Sequence, residues 1–265
     1  MALEPVLGVL AAMVLVMVAA WAFGLRRRDG GWTDVFWTWG TGLTLAVAAL
    51  WPFEGVQPRQ WLVAAFVTAW ALRLGLYLTP RVAAGPEDAR YAAFREQFGP
   101  RYAIGMLWVT FPQALATALL AVSVVIAANR TDPELGLRDA LAVGVFAVAL
   151  GGEAVADAQM RRFRADPAKR GKVLESGLWA WSRHPNYFFQ WLGWCAYPVM
   201  ALEPDRPLTW LSLTAPLVMF GLLRYVSGVP PLEAAMLRSR GEAFREYQQR
   251  VSVFIPLPPR RPGRA

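Results

Sequence analysis

One cysteine and one histidine, Cys195 and His184, are all that the 265 residues hold of either type. An internal disulfide needs two cysteines, and common zinc sites need three or four Cys and His ligands, so both are excluded by count. No metal site is expected. Charge is also scarce: Asp, Glu, Lys and Arg make up 17% of the chain, where about 25% is usual. That argues against a disordered chain and against a charged coiled coil. The sequence contains no G-x-G-x-x-G run, which excludes a Rossmann dinucleotide site.

Apolar residues are abundant. They form 56% of the chain, with a mean hydropathy of +0.32, and they lie in long blocks. Seven stretches approach the ~20 residues that cross a bilayer: about 3–25, 32–52, 60–79, 104–128, 138–160, 187–203 and 208–228. Thirteen tryptophans, many near the block ends, fit membrane-interface belts. The expected fold is all-α, a polytopic membrane protein forming one membrane domain over residues 1–265.

The net charge of +8 would suggest nucleic acid in a soluble protein; here it follows the loops, and no nucleic-acid partner is expected. Arginines and lysines crowd the first, third and fifth connections and the tail. The intervening connections hold only Arg59, Arg130, Arg138 and Arg206. This alternation predicts seven spans, the N-terminus outside and the C-terminus cytoplasmic. Glu4 replaces a basic n-region and Arg26–Arg28 follow the first run, so that run reads as a retained span rather than a cleaved leader. A multi-pass protein of the bacterial inner membrane is expected, surrounded by lipid and monomeric or weakly oligomeric.

Ionisable residues inside spans are expensive and are functional candidates. They are Asp34, Arg73, Glu153, Asp157 and Arg224, all in the cytoplasmic half under this topology. Glu153 and Asp157 are four apart and share one helix face. Two acids facing lipid would cost several kcal/mol, at about 2.5–3.5 kcal/mol for each central Asp, so a polar interior is expected beside them. Arg73 and Arg224 serve either as ligands or as snorkelling side chains. The fifth connection carries Arg161, Arg162, Arg164, Lys169, Arg170, Lys172 and Arg183. Such a loop can rest on anionic lipid, or its arginine forks can hold a phosphate-rich cofactor.

The densest chemistry lies in Gly177-Leu178-Trp179-Ala180-Trp181-Ser182-Arg183-His184-Pro185-Asn186-Tyr187. Pro185 favours a helix start, and free N–H groups there offer an anion or cofactor contact. Asn186 either caps the helix or binds a ligand through its amide. The tail, with Leu232, Met236, Phe244, Tyr247 and Val251 near one face, is expected to form an interfacial helix, either an anchor or a lid.

The run GLWAWSRHPNYFFQW resembles the C-terminal signature of the steroid 5-alpha-reductase-like membrane proteins, specifically their bacterial DUF1295 branch. Trp70-Ala71-Leu72-Arg73-Leu74 with Glu87-Asp88-Ala89-Arg90-Tyr91, Glu153 to Arg164, Gly228 to Glu233, Phe244-Arg245-Glu246-Tyr247 and Phe254-Ile255-Pro256 agree with it. The RHPNY block marks a superfamily that also includes sterol C14-reductases and isoprenylcysteine and phospholipid methyltransferases. The resemblance implies seven spans and NADPH held by the later part, about residues 138–256. Asp157, Arg164, Asn186 and the region of Glu233 match cofactor-holding positions. Glu153 stands where the family often has Asn, and Gln190 where it often has Glu. Arg73, Arg161, Arg183, His184, Tyr187 and Arg224 complete the expected cofactor-binding set.

Steroid reductases of this type pair a span-three Tyr with a span-two Glu on an enone carbonyl. Such an acid donor would stabilise an enolate as hydride arrives. Here the span-three position is Trp70 and the nearest glutamate is Glu54, at a Trp-Pro-Phe-Glu-Gly turn that reads equally as an outer loop; Tyr77, Tyr91 and Tyr102 are substitute proton donors, with Tyr91 and Tyr102 otherwise reading as interface aromatics. The expected activity is NADPH-dependent reduction of a carbon–carbon double bond in a lipophilic, steroid-like or other enone substrate. The alternative is an S-adenosylmethionine-dependent lipid or isoprenylcysteine-type methyltransferase. That class usually carries paired Glu where this chain has Leu232-Glu233.

Overall fold

The computed structural model describes residues 3–53, 55–132 and 134–260. Among them every regular element is helical: α1 (Glu4–Arg27), α2 (Trp32–Ala49), α3 (Pro58–Ala84), α4 (Ala89–Phe98), α5 (Tyr102–Ala128), α6 (Leu137–Ala165), α7 (Pro185–Ala201), α8 (Thr214–Gly221), α9 (Val229–Arg240) and α10 (Glu242–Arg250). Prolines open α3 and α7, where the missing N–H costs nothing. Gln60 Oε1 accepts the Gln57 N–H at 2.7 Å, closing the start of α3.

Among the described residues five segments are long and apolar enough to cross a membrane: Glu4–Arg27, Pro58–Ala84, Ala89–Ala128, Leu137–Ala165 and Pro207–Arg240. The helices α2 and α7, with 18 and 17 residues, are not among them. The stretch expected as a seventh uniform run has three geometries: a 3₁₀ segment Pro207–Leu213, then α8, then a π-helical turn Leu222–Val226. The tail corrects the expectation of one interfacial helix. Gly241, at φ 54°, breaks it into α9 and α10. Phe244, Tyr247 and Val251 are buried together against Val173, Met236 and Leu237.

The chain divides into two compact units, Met1–Ala142 with Ala196–Val218, and Val143–Cys195 with Met219–Ala265. In the first unit, small residues let the helices approach closely, as membrane helices do without a hydrophobic drive between them. A Cβ on Gly42 would stand 2.2 Å from the Ala71 Cβ, and one on Gly75 2.5 Å from the Trp39 ring. Thr117 of α5 bonds both Thr41 and the Trp37 indole, each at 3.0 Å. Tyr91 and Tyr102, read as interface aromatics, are instead buried with Met106 against Trp21, Phe94 and Phe98. Arg59, read as a loop charge, is only 1% exposed. Its Nε donates to Asp139 Oδ1 at 2.8 Å, and its Nη groups donate to the carbonyls of Asp132 and Glu134.

In the second unit α6 and α7 run antiparallel. The contacts step in opposite directions along the two helices. Gln159 Oε1 accepts the Leu178 N–H at 3.0 Å, Asn186 Nδ2 meets Asp157 Oδ1 at 3.3 Å, Phe189 covers Gly152, and Gly193 faces Ala149. The segment after α10 lies along the turn before α7. Arg183 N–H donates to the Ser252 carbonyl at 2.8 Å and Leu257 N–H to the Trp181 carbonyl at 2.9 Å.

Candidate functional site

The second unit gathers most of the residues expected to hold a cofactor. Glu153, Asp157, His184 and Gln190 are all buried, at 5, 4, 3 and 7% exposure. The register of α6 against α7 brings Glu153 level with Phe189 and Gln190, one turn from the Asp157–Asn186 hydrogen bond. Arg161 and Arg164 continue α6 and are exposed. Asn186 is not the cap of α7. Pro185 already occupies the first helical position, and the His184 carbonyl accepts the Phe188 N–H at 3.1 Å, so His184 stands at the cap.

Around Glu233 the side chains converge. Arg183 donates from Nε to Oε1 at 2.7 Å and from Nη2 to Oε2 at 3.3 Å. Its Nη1 donates to the carbonyls of Gln248 at 3.0 Å and Val251 at 2.7 Å. Four bonds use most of the five N–H groups of a guanidinium, so Arg183 has little left for a phosphate. Gln248 Nε2 adds a donor to Oε2 at 2.7 Å. His184 Nε2 stands 3.0 Å from Oε1. Burial pushes the His184 imidazole below its ordinary value of 6.5, Glu233 opposing and Arg183 and Arg224 assisting. A neutral ring donating from Nε2 leaves Nδ1 as an acceptor. That Nδ1 is buried without a partner among the described residues. The ring also stacks on Tyr187, centroids 5.4 Å apart and 11° between planes.

Arg224 lies on the π-helical turn. Such turns insert an extra residue into the helical repeat and recur at functional sites. Its guanidinium rests 4.8 Å above the Tyr225 ring, and no carboxylate pairs with it among the described residues.

The remaining expected residues belong to the first unit. Arg73 lies 5.8 Å above the Tyr77 ring. The Tyr91 hydroxyl donates to Asp34 Oδ1 at 2.9 Å, and Arg90 Nη2 donates to Asp34 Oδ2 at 2.7 Å. Asp34 is therefore a paired structural acid. Trp70 is buried, edge-on to Trp37 at 5.8 Å. Glu54 lies outside the described residues. Sequence reasoning missed Gln248, because a glutamine on an amphipathic tail reads as solvent-facing. Its sole signal was adjacency to the Phe244–Tyr247 stretch.

The chain is similar over 95% of its length to an uncharacterized protein, C594.04c, of Schizosaccharomyces pombe, at 25% identity and covering 79% of that protein. No solved structure matches. A family described as "Protein of unknown function (DUF1295)" matches residues 20–251, a span that includes the RHPNY turn, Glu233 and Gln248, and the chain thus belongs to this steroid 5-alpha-reductase-like family.

Proposed function

We propose that the protein is an NADPH-dependent membrane reductase of a carbon–carbon double bond in a lipophilic enone. The supporting observation is the pairing of an unspent cation with an unspent acceptor in the second unit: the Arg224 guanidinium and the buried Nδ1 of His184. An anionic nucleotide bearing amide and hydroxyl donors suits both. A sulfonium cofactor without phosphate leaves Arg224 unanswered.

In this reading Arg224, with Arg161 and Arg164, holds phosphate. Asp157 accepts from a ribose hydroxyl or carboxamide while Asn186 orients it, and His184 Nδ1 accepts from a further donor. Glu153 and Gln190 supply the polar wall, and Tyr187 stacks behind His184. Arg183 and Glu233 are positioning residues: they hold the turn and the tail together and do not touch the cofactor. NADPH supplies hydride when bound. Tyr77 is a better proton donor than Tyr91, because the Tyr91 proton is committed to Asp34. Arg73 lies over the Tyr77 ring and orients it. The finer topology is part of the same proposal: seven spans including α2 and α7, N-terminus outside, in the bacterial inner membrane.

Thermal unfolding of the detergent-solubilised protein with NADPH, NADH and S-adenosylmethionine tests this. A ligand at ~100 Kd adds about 2.7 kcal/mol to stability. NADPH should stabilise most, and Arg224→Gln should weaken that effect at least tenfold in concentration. Stabilisation by S-adenosylmethionine alone overturns the reductase.

A further inference from the structure

A cleft of about 620 Å³ opens in the first unit where α2, α5 and α7 end. Ligand sites commonly occupy about 300–1,000 Å³. Its walls are apolar, built by Trp51, Pro52, Val125, Ile126 and Leu208. Its lip is polar and braced. Arg130, almost fully buried, donates from Nη1 to the Met200 carbonyl at 2.8 Å. Thr209 Oγ1 accepts the Glu203 N–H and donates to the Glu203 carbonyl, both at 2.9 Å. Arg206 bonds Thr131 Oγ1 and meets Glu203 Oε2 at 3.1 Å. These bonds fix the loops on either side, so the cleft is already formed.

Two charges on the lip remain available. Asp205 makes no hydrogen bond or ion pair among the described residues, and the Arg206 Nη2 group is unspent. They are adjacent and of opposite sign. Helix ends are also the depth at which lipid headgroups lie.

We propose that this cleft binds a single zwitterionic phospholipid, its chain against the apolar walls, its phosphate on Arg206 and its ammonium on Asp205. The site does not depend on the nucleotide site or on the reductase activity. A purely anionic headgroup would place a hydroxyl where Asp205 offers a carboxylate, losing the charged partner.

The test is native mass spectrometry of the delipidated protein in mild detergent. Three probes are added separately: a phosphatidylethanolamine, a phosphatidylglycerol with the same chains, and free phosphoethanolamine. One phosphatidylethanolamine should be retained per chain, in preference to phosphatidylglycerol by about tenfold, as expected for one charge-assisted hydrogen bond. Free phosphoethanolamine should not be retained. Asp205→Asn should erase the preference, and Leu208→Trp, at an exposed position that tolerates the change, should cut retention of either lipid. Equal retention of both lipids by the parent overturns the headgroup assignment. Retention untouched by Leu208→Trp means annular lipid and overturns the site. Stoichiometric retention of free phosphoethanolamine would make it a soluble-headgroup site, which also overturns the proposal.

Discussion

Arg183 and Glu233 lie 50 residues apart and meet fork to fork, at 2.7 Å and 3.3 Å. The same guanidinium reaches the carbonyls of Gln248 and Val251, and Gln248 returns to the same carboxylate. One arginine thereby ties the turn before α7, the helix α9 and the end of α10.

Removing either partner should therefore unfold more than a local contact. Arg183→Ala leaves Glu233 facing only His184 and Gln248, and breaking a buried pair from one side costs about 3–5 kcal/mol. This pair is slightly exposed, at 11 and 13% for the two side chains, so the low end of that range is expected. Arg183→Lys should recover little, because an ammonium cannot reproduce the planar fork. Chemical or thermal unfolding in detergent reads both. Full recovery by lysine would show that charge alone holds the junction.

Adjacent glycines make an internal control for the α6–α7 contact. A Cβ on Gly152 would meet the Phe189 ring at 2.4 Å, whereas one on Gly151 meets nothing within 4 Å. Gly152→Ala should force the ring aside and destabilise by about 1–3 kcal/mol. Gly151→Ala should be neutral or gain up to ~1 kcal/mol from helix propensity. Equal effects in unfolding midpoints would mean that the two helices do not pack there.

Much of this was legible in the sequence because a membrane makes buried charge conspicuous. Glu153 and Asp157 stood out inside an apolar run, and both are buried. The RHPNY turn stood out because it concentrates hydrogen-bonding groups. Arg59 did not, since a charge between two apolar runs reads as a loop residue; only the fold brings Asp139 and two carbonyls around it. The π-turn under Arg224 has no composition signal, because an extra residue in a helical repeat changes geometry without changing residue type. Gly241 was visible as a glycine, but a glycine in an amphipathic run does not announce the positive φ that splits the tail.

His184 should give the protein an acid limit. Burial lowers its pKa in the folded state below 6.5, so at lower pH the unfolded chain binds the extra proton. Stability is then fully present above the ordinary imidazole value and falls as pH drops below it. His184 is the chain's lone histidine, so His184→Gln should flatten unfolding midpoints between about pH 5 and 7. An unchanged slope in the variant would assign the acid sensitivity to carboxylates.

Charge alternation makes the proposed topology directly testable. A reporter fused after Ala265 should face the cytoplasm, and one inserted in the 129–137 connection, beside Arg130 and Arg138, should face outside. Both on one side would require an even number of spans between them in place of three, and α7, with 17 residues, is the helix whose spanning would then fail.

Asn186 and Asp157 allow a swap that separates packing from cofactor binding. The Asn186 amide donates to the Asp157 carboxylate at 3.3 Å across α6 and α7. Asn186→Asp alone sets two carboxylates against each other and removes the donor. The cost should be about 1–3 kcal/mol, that of an unsatisfied partly buried polar group. Adding Asp157→Asn restores one donor and one acceptor with their positions exchanged, so most of the stability should return. NADPH binding should not return with it. The acceptor for ribose or carboxamide has moved from α6 to α7, and the negative charge now stands at the helix start, where it repels phosphate. Binding and unfolding are measured on the same three variants. If the swap restores NADPH binding along with stability, Asn186 and Asp157 serve only to join two helices, and the nucleotide lies elsewhere.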